Sequence, residues 1–236
     1  MDTHHHHHHH TEEHLKGSVI LRDVVIGMSD GLTVPFALAA GLSGAVKDVH
    51  LIVIAGIAEI AAGSIAMGLG GYLAGQTEQD HYHSELKREY DEIERLPEVE
   101  KEEVRVFFEG LGLSADVQNR AVEELIRDKD RWADFMMKHE LGLEKPDPKR
   151  ARKSAFNIGV SYMVGGMIPL SPYFFVTHGI KGLQISAAVT LVCLMVFGYF
   201  KSKLTGAPPW QGDFKVAFIG ALAAGCDVWI AQMIGA

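Results

Sequence analysis

Apolar and polar residues are segregated into blocks along this chain rather than interleaved. Five stretches, residues 24–46, 51–73, 155–176, 183–200 and 214–234, are almost wholly apolar. Each is close to the roughly 20 residues that a helix needs to cross a bilayer. Between the second and third lies a longer block, 78–148, in which apolar positions recur at helical spacing among many charges. The pattern predicts an all-α integral membrane protein. Transmembrane helices 1 and 2 fall within 15–77, a soluble three-helix insert within 78–148, and transmembrane helices 3 to 5 within 149–236. Seven consecutive histidines near the start read as an affinity tag, and residues 1–14 are set aside.

The insert divides at its punctuation. Its first helix continues the second span without a break as far as Leu96, and Pro97 suits the first turn of the next. That second helix runs to about Phe108, where Gly110 and Gly112 interrupt it. Ser114 or Asp116 then caps a third helix, expected to reach His139.

Basic residues give the orientation, because they are retained on the cytosolic side. Lys16 and Arg22 precede the first span, Lys149, Arg150, Arg152 and Lys153 precede the third, and Lys201 and Lys203 follow the fourth. The N-terminus and the insert are therefore expected in the cytosol, and the C-terminus on the far side.

Average composition conceals all of this. A mean hydropathy of +0.08 with 22% charged residues suits a soluble protein. Yet 21 of the 30 acidic residues and 11 of the 22 basic ones lie between Glu78 and Asp147, a local balance of −10. The remainder is close to neutral and strongly apolar. Cys193 and Cys226 both lie inside apolar runs, which leaves no disulfide framework and no CxxC metal site. No prosthetic group and no nucleic-acid partner are expected.

Small residues crowd the spans, as in Gly41–Ala45 and Gly68–Gly75, and Gly71 with Gly75 forms a GxxxG pair. Such residues let helix backbones approach closely in lipid. Packing within the chain is the first reading of that pair. Five helices are few to enclose a polar pathway, so a homodimer with the pathway between subunits is expected.

Ionisable residues inside the spans are the sharper signal, since a charge near the bilayer centre costs several kcal/mol unless it faces a polar cavity or a partner. Asp30, Glu59 and Asp227 are the clear cases. Asp30 precedes Pro35, which removes a backbone donor and frees carbonyl oxygens beside the carboxylate. Glu59 and Met67 lie eight residues apart on one face of the second span, with Gly63 between them. Carboxylates suit divalent cations, and a thioether favours softer transition metals over calcium or magnesium. Asp30, Glu59 and Met67 are thus candidates for an ion pathway, whereas Asp227, at the far end of the last span, reads as a hydrogen-bonded structural acid.

The insert carries two ExxE pairs across the Pro97 break, Glu89 with Glu92 and Glu100 with Glu103. A spacing of three puts both carboxylates of a pair on one helical face, close enough to hold one metal ion or bridge two. Met136 and Glu140 share a face at i and i+4 near the end of the third helix. The competing reading of a Glu-rich helix is a solvated face. Glu85, Glu89 and Glu92 have no lysine at i+4, however, and their mutual repulsion is what a bound cation would reverse. Glu102, Glu109, Glu123 and Glu124 read as surface residues. His81, His83 and His139 read as surface histidines, with a secondary role as ligands.

The run DGLTVPFALAAGLSGA from Asp30 to Ala45 and the run AEIAAGSIAMGLGGYLA from Ala58 to Ala74 closely resemble the plant vacuolar iron transporters, relatives of the yeast vacuolar iron and manganese carrier. The resemblance extends over nearly the whole chain after the histidine run, including the FMMKHELGL segment. It implies a five-helix dimer in the vacuolar membrane that exchanges cytosolic ferrous iron for vacuolar protons. By position it assigns Asp30, Glu59 and Met67 to the membrane pathway, and Glu89, Glu92, Glu100, Glu103, Met136 and Glu140 to a cytosolic metal site. Manganese, cobalt and zinc suit similar ligands and are expected as further cargo. Two other classes remain open: a membrane-anchored ferritin-like di-iron oxidase, and a metal sensor that binds without flux. Ferritin-like bundles supply an ExxH motif from each of two helices, and of His81, His83 and His139 only His81, after Glu78, falls three residues after a glutamate.

Overall fold

A computed structural model describes residues 13–205. The expected fifth span, with Asp227 and Cys226, and the histidine run lie outside the described residues. Within them the chain forms α1 (Glu13–Ala45), α2 (Val49–Arg95), α3 (Pro97–Gly110), α4 (Ala115–Leu125), α5 (Lys129–His139), α6 (Arg150–Leu170), a short 3-10 helix (Ser171–Phe174) and α7 (Gly179–Thr205). No strand occurs among the described residues. They divide into two compact units, one gathering the residues up to Tyr72 and from Arg152, the other Leu73–Ala151.

Among the described residues three helices are long and apolar enough to cross a membrane, Val19–Ala45, Val49–Arg95, which runs on into the second unit, and Gly179–Leu204. Their outward faces carry large apolar side chains, among them Ile65, Leu69, Val192 and Met195, and Ile65 is 71% exposed. Such continuous apolar exposure suits lipid and not water. The third expected span corresponds to α6, which is 21 residues long and opens on Arg150, Arg152 and Lys153. It ends at Leu170, well before the expected residue 176. Pro172 supplies no backbone donor and restricts the residue before it, so the chain passes into the 3-10 turn instead of extending the helix.

Glycine makes the close contacts in the first unit. A Cβ on Gly31 of α1 would lie 2.3 Å from the carbonyl oxygen of Tyr162 on α6, and one on Gly71 of α2 would lie 2.7 Å from Ile158. The backbones therefore touch where a side chain would have held them apart. Gly71 thus packs within the chain, as does Gly75 in the other unit, where a Cβ would meet Ala151 at 2.6 Å. Ala39, Val49, Ile52, Val53, Ile60, Leu170 and Tyr173 form a buried apolar cluster. Tyr173 and Ser43 share a hydrogen bond of 2.9 Å inside the unit, and Ser186 Oγ donates to the carbonyl of Pro169 at 2.6 Å. These groups satisfy one another where lipid offers no partner.

The second unit packs by large side chains. Ile93, Val104, Val122, Leu125, Trp132, Ala133 and Met136 form its core, each 9% exposed or less. Here α2 does run on to Arg95, and α3 begins at Pro97 as the sequence predicts. The expected single helix from Ser114 to His139 is instead two, α4 and α5. Asp128 is the reason. Its Oδ1 accepts from the backbone N–H groups of Asp130 at 3.0 Å and Arg131 at 3.2 Å, which caps a fresh helix start and bends the chain. The insert is therefore built from the end of α2 and three separate helices.

Candidate metal site

Three carboxylates meet in the second unit. Glu89 stands on α2 near its end, Glu100 in the first turn of α3, and Glu140 caps the C-terminus of α5. One oxygen from each lies within 4.8 Å of the others. The Pro97 break makes this possible, because a continuous helix would hold positions 89 and 100 about three turns apart. Glu89 is 1% exposed and Glu100 4%, and Oε2 of each is buried without a hydrogen-bond partner. Paired but uncompensated carboxylates in a folded core are costly, and a cation is the group that would complete them.

Their proton affinities show the same strain. Burial, followed by the charges of Glu140, Glu100 and Glu92, pushes the Glu89 carboxyl up to about 7. Burial and then Glu103, Glu140 and Glu92 do the same to Glu100, also to about 7. Glu140 is raised by burial, by the charge of Glu103, by a hydrogen bond with Glu103 and by Glu92. Arg88 opposes all three shifts.

The members of each ExxE pair take different partners. One member of each, Glu89 and Glu100, joins the three-carboxylate group with Glu140. Glu92 is turned to Arg88 at 3.6 Å, and Arg88 also holds Glu85 at 2.7 Å. Glu103 is drawn to Glu140 by their hydrogen bond. Met136 is 1% exposed and lines, with Glu103, Glu140, Phe107, Phe135 and His139, a largely apolar cavity of about 370 Å³ that Glu89 and Glu100 do not line. Thioether sulfur and carboxylate oxygen are donor types that suit divalent transition metals. His139 stacks against Phe107 and Phe135, His81 sits 3.9 Å from Glu85, and His83 packs edge-on to Tyr82. None of the three belongs to the carboxylate group.

In the first unit no group of three acids meets among the described residues. Asp30 is half-buried on α1, next to Gly31 and one turn before the buried Pro35. Thr33 Oγ1 donates to the carbonyls of Ser29 at 2.9 Å and Asp30 at 3.3 Å. Glu59 is half-buried on α2 and accepts a hydrogen bond from the Tyr162 hydroxyl, while its Oε2 is buried without a partner. Met67 is half-buried two turns further along the same helix. Sequence reasoning missed Asp23, which is 1% exposed on α1. Its neighbour Arg22 made it look like the flank of a span, although seven residues separate it from Asp30 on the same helical face. Arg88 as a common partner of Glu85 and Glu92 was legible only as a nearby charge.

The chain is similar to known proteins along almost its whole length. It is 52% identical over 223 residues to "Vacuolar iron transporter 1" of Tulipa gesneriana, covering 94% of this chain and 90% of the relative. The Arabidopsis thaliana protein of the same name is 49% identical over 224 residues, covering 95% and 90%. "Protein CCC1" of Saccharomyces cerevisiae is 36% identical over 226 residues, covering 92% of this chain and 69% of the yeast protein. The VIT family pattern runs through residues 21–232, across both the apolar helices and the acidic unit, and the chain belongs to the VIT family.

Proposed function

We propose that this chain is a secondary transporter that carries ferrous iron from the cytosol into the vacuole in exchange for protons, with manganese, cobalt and zinc as further cargo. The observation that carries the reading is the convergence of Glu89, Glu100 and Glu140, with two buried and unpartnered oxygens, in a chain whose other unit is built of membrane-crossing helices. Relatives named as vacuolar iron transporters support iron and the vacuolar membrane. The working form is a homodimer with five spans per subunit and the pathway at the subunit interface.

The insert, as a domain at 78–148 on the cytosolic side, collects the ion through Glu89, Glu92, Glu100, Glu103, Met136 and Glu140. Asp30, Glu59 and Met67 then carry it through the membrane. Because carboxylates must give up protons to bind metal, an acidic lumen displaces the ion from Asp30 and drives release there. No enzymatic step is needed for this cycle.

The test is uptake of ferrous iron by the full chain in liposomes with an acidic interior. Uptake that rises with the proton gradient and is matched by proton efflux supports antiport. Metal binding without uptake would make the chain a sensor, and oxygen consumption with ferrous iron would make it an oxidase.

A further inference from the structure

One contact in the membrane unit is assigned by neither the carboxylate pattern nor the family likeness. Tyr162, on α6, is 2% exposed, and its hydroxyl donates to Oε1 of Glu59 on α2. Oε2 of Glu59 is left buried and unpartnered. The phenol reaches the carboxylate because residue 63 is glycine: a Cβ there would lie 2.4 Å from the phenolic oxygen. At its backbone end Tyr162 meets α1, where a Cβ on Gly31 would lie 2.3 Å from its carbonyl oxygen. Tyr162 thus touches both the side chain of Glu59 and the helix that carries Asp30, and two glycines leave it room to do so.

A phenol is a suitable donor for this place. It is neutral over the physiological range, so it orients a carboxylate without neutralising it as Arg or Lys would. The terminal torsion of a glutamate is broad and roughly two-fold, so a carboxylate without a donor presents either oxygen. With Oε1 occupied, only Oε2 remains available. We propose that Tyr162 is a positioning residue of the ion pathway, whose hydroxyl fixes Glu59 on Oε1 so that Oε2 alone meets the transported cation. The proposal rests on the reading of Glu59 as part of that pathway.

Transport of ferrous iron by the full chain in liposomes tests it. Tyr162→Phe keeps the ring and its packing against α1 and removes only the donor. It should raise KM about tenfold, the usual order for losing an outer partner of a metal ligand, and leave the maximal rate within about twofold. Glu59→Asp withdraws the carboxylate from the phenol, so adding Tyr162→Phe to it should change KM no further. Gly63→Ala, which displaces the phenol without removing it, should reproduce the rise in KM and stands in if the phenylalanine variant does not fold. An unchanged KM in Tyr162→Phe, or a fall in maximal rate alone, overturns the positioning role. Glu59→Gln separates the two levels: if it transports like the parent, Glu59 is not in the pathway. If it is impaired while Tyr162→Phe is not, only the positioning role is lost.

Discussion

The two units treat carboxylates in opposite ways. The insert pools them: Glu89, Glu100 and Glu140 share one small space, with Arg88 as the nearest relief. The membrane unit holds no such group of three among its described residues, and Glu59 has a neutral donor in Tyr162. Pooling is tolerable where protons and an arginine can moderate the repulsion. Within apolar spans a second like charge would add to an already large desolvation cost. The lesson concerns division of labour. Three acids around one point can hold a cation firmly, whereas fewer can let it pass.

That contrast predicts different responses to the loss of one acid. Asp30→Ala should have the largest effect, because a cation at membrane depth without its carboxylate costs about 3 kcal/mol, or roughly 100-fold in rate. Initial rates of proton-driven iron uptake check it, and full retention would end the claim that the membrane acids carry the ion. Glu100→Gln should weaken metal binding by about tenfold or more, as expected of a lost ligand, and leave the metal-free protein no less stable because it relieves like-charge repulsion. Calorimetric titration and thermal melting of the full chain read both, and a lower melting point without metal would show the carboxylate to be structural.

Packing offers a third comparison. Val104→Ala, at a position 0% exposed in the insert core, should cost about 2 kcal/mol through the cavity it leaves. Chemical denaturation of the full chain measures it.

The stability of the metal-free insert should also depend on pH. Glu89 and Glu100 hold their protons up to about pH 7 when folded, against an ordinary value of 4.5. The folded state binds more protons than the unfolded one between those limits, so stability falls as pH rises from about 4.5 to 7 and then levels off. Melting points across that range check the sign, and a saturating divalent metal should flatten the trend. Arg120→Ala, which breaks an exposed pair with Asp116, should leave the melting point unchanged within error.

Legibility followed the range of the interactions. The paired acids at 89 and 92, and at 100 and 103, are visible because their spacing and the Pro97 break are local. Their regrouping with Glu140 is not, since it depends on how α5 packs against the core through Trp132 and Met136. The split at Asp128 was hidden because apolar positions from Val117 to Met136 continue at helical spacing, and only the side-chain cap reveals the break. The hydrogen bond from Tyr162 to Glu59 joins residues 103 apart and leaves no trace in either segment. Apolar stretches announced α1, α2 and α7, while the proline-bounded end of α6 was set by backbone chemistry at Pro172.

The cap at Asp128 has a further consequence. It makes α5 an independent segment of 11 residues, too short to persist as a helix without the core it packs on. Met136 and Glu140 are carried by that segment, so the geometry of the site and the docking of α5 are one equilibrium. The amide hydrogens of Lys129–His139 therefore report on it: they exchange with solvent each time α5 undocks, and a bound ion that grips Glu140 slows their exchange.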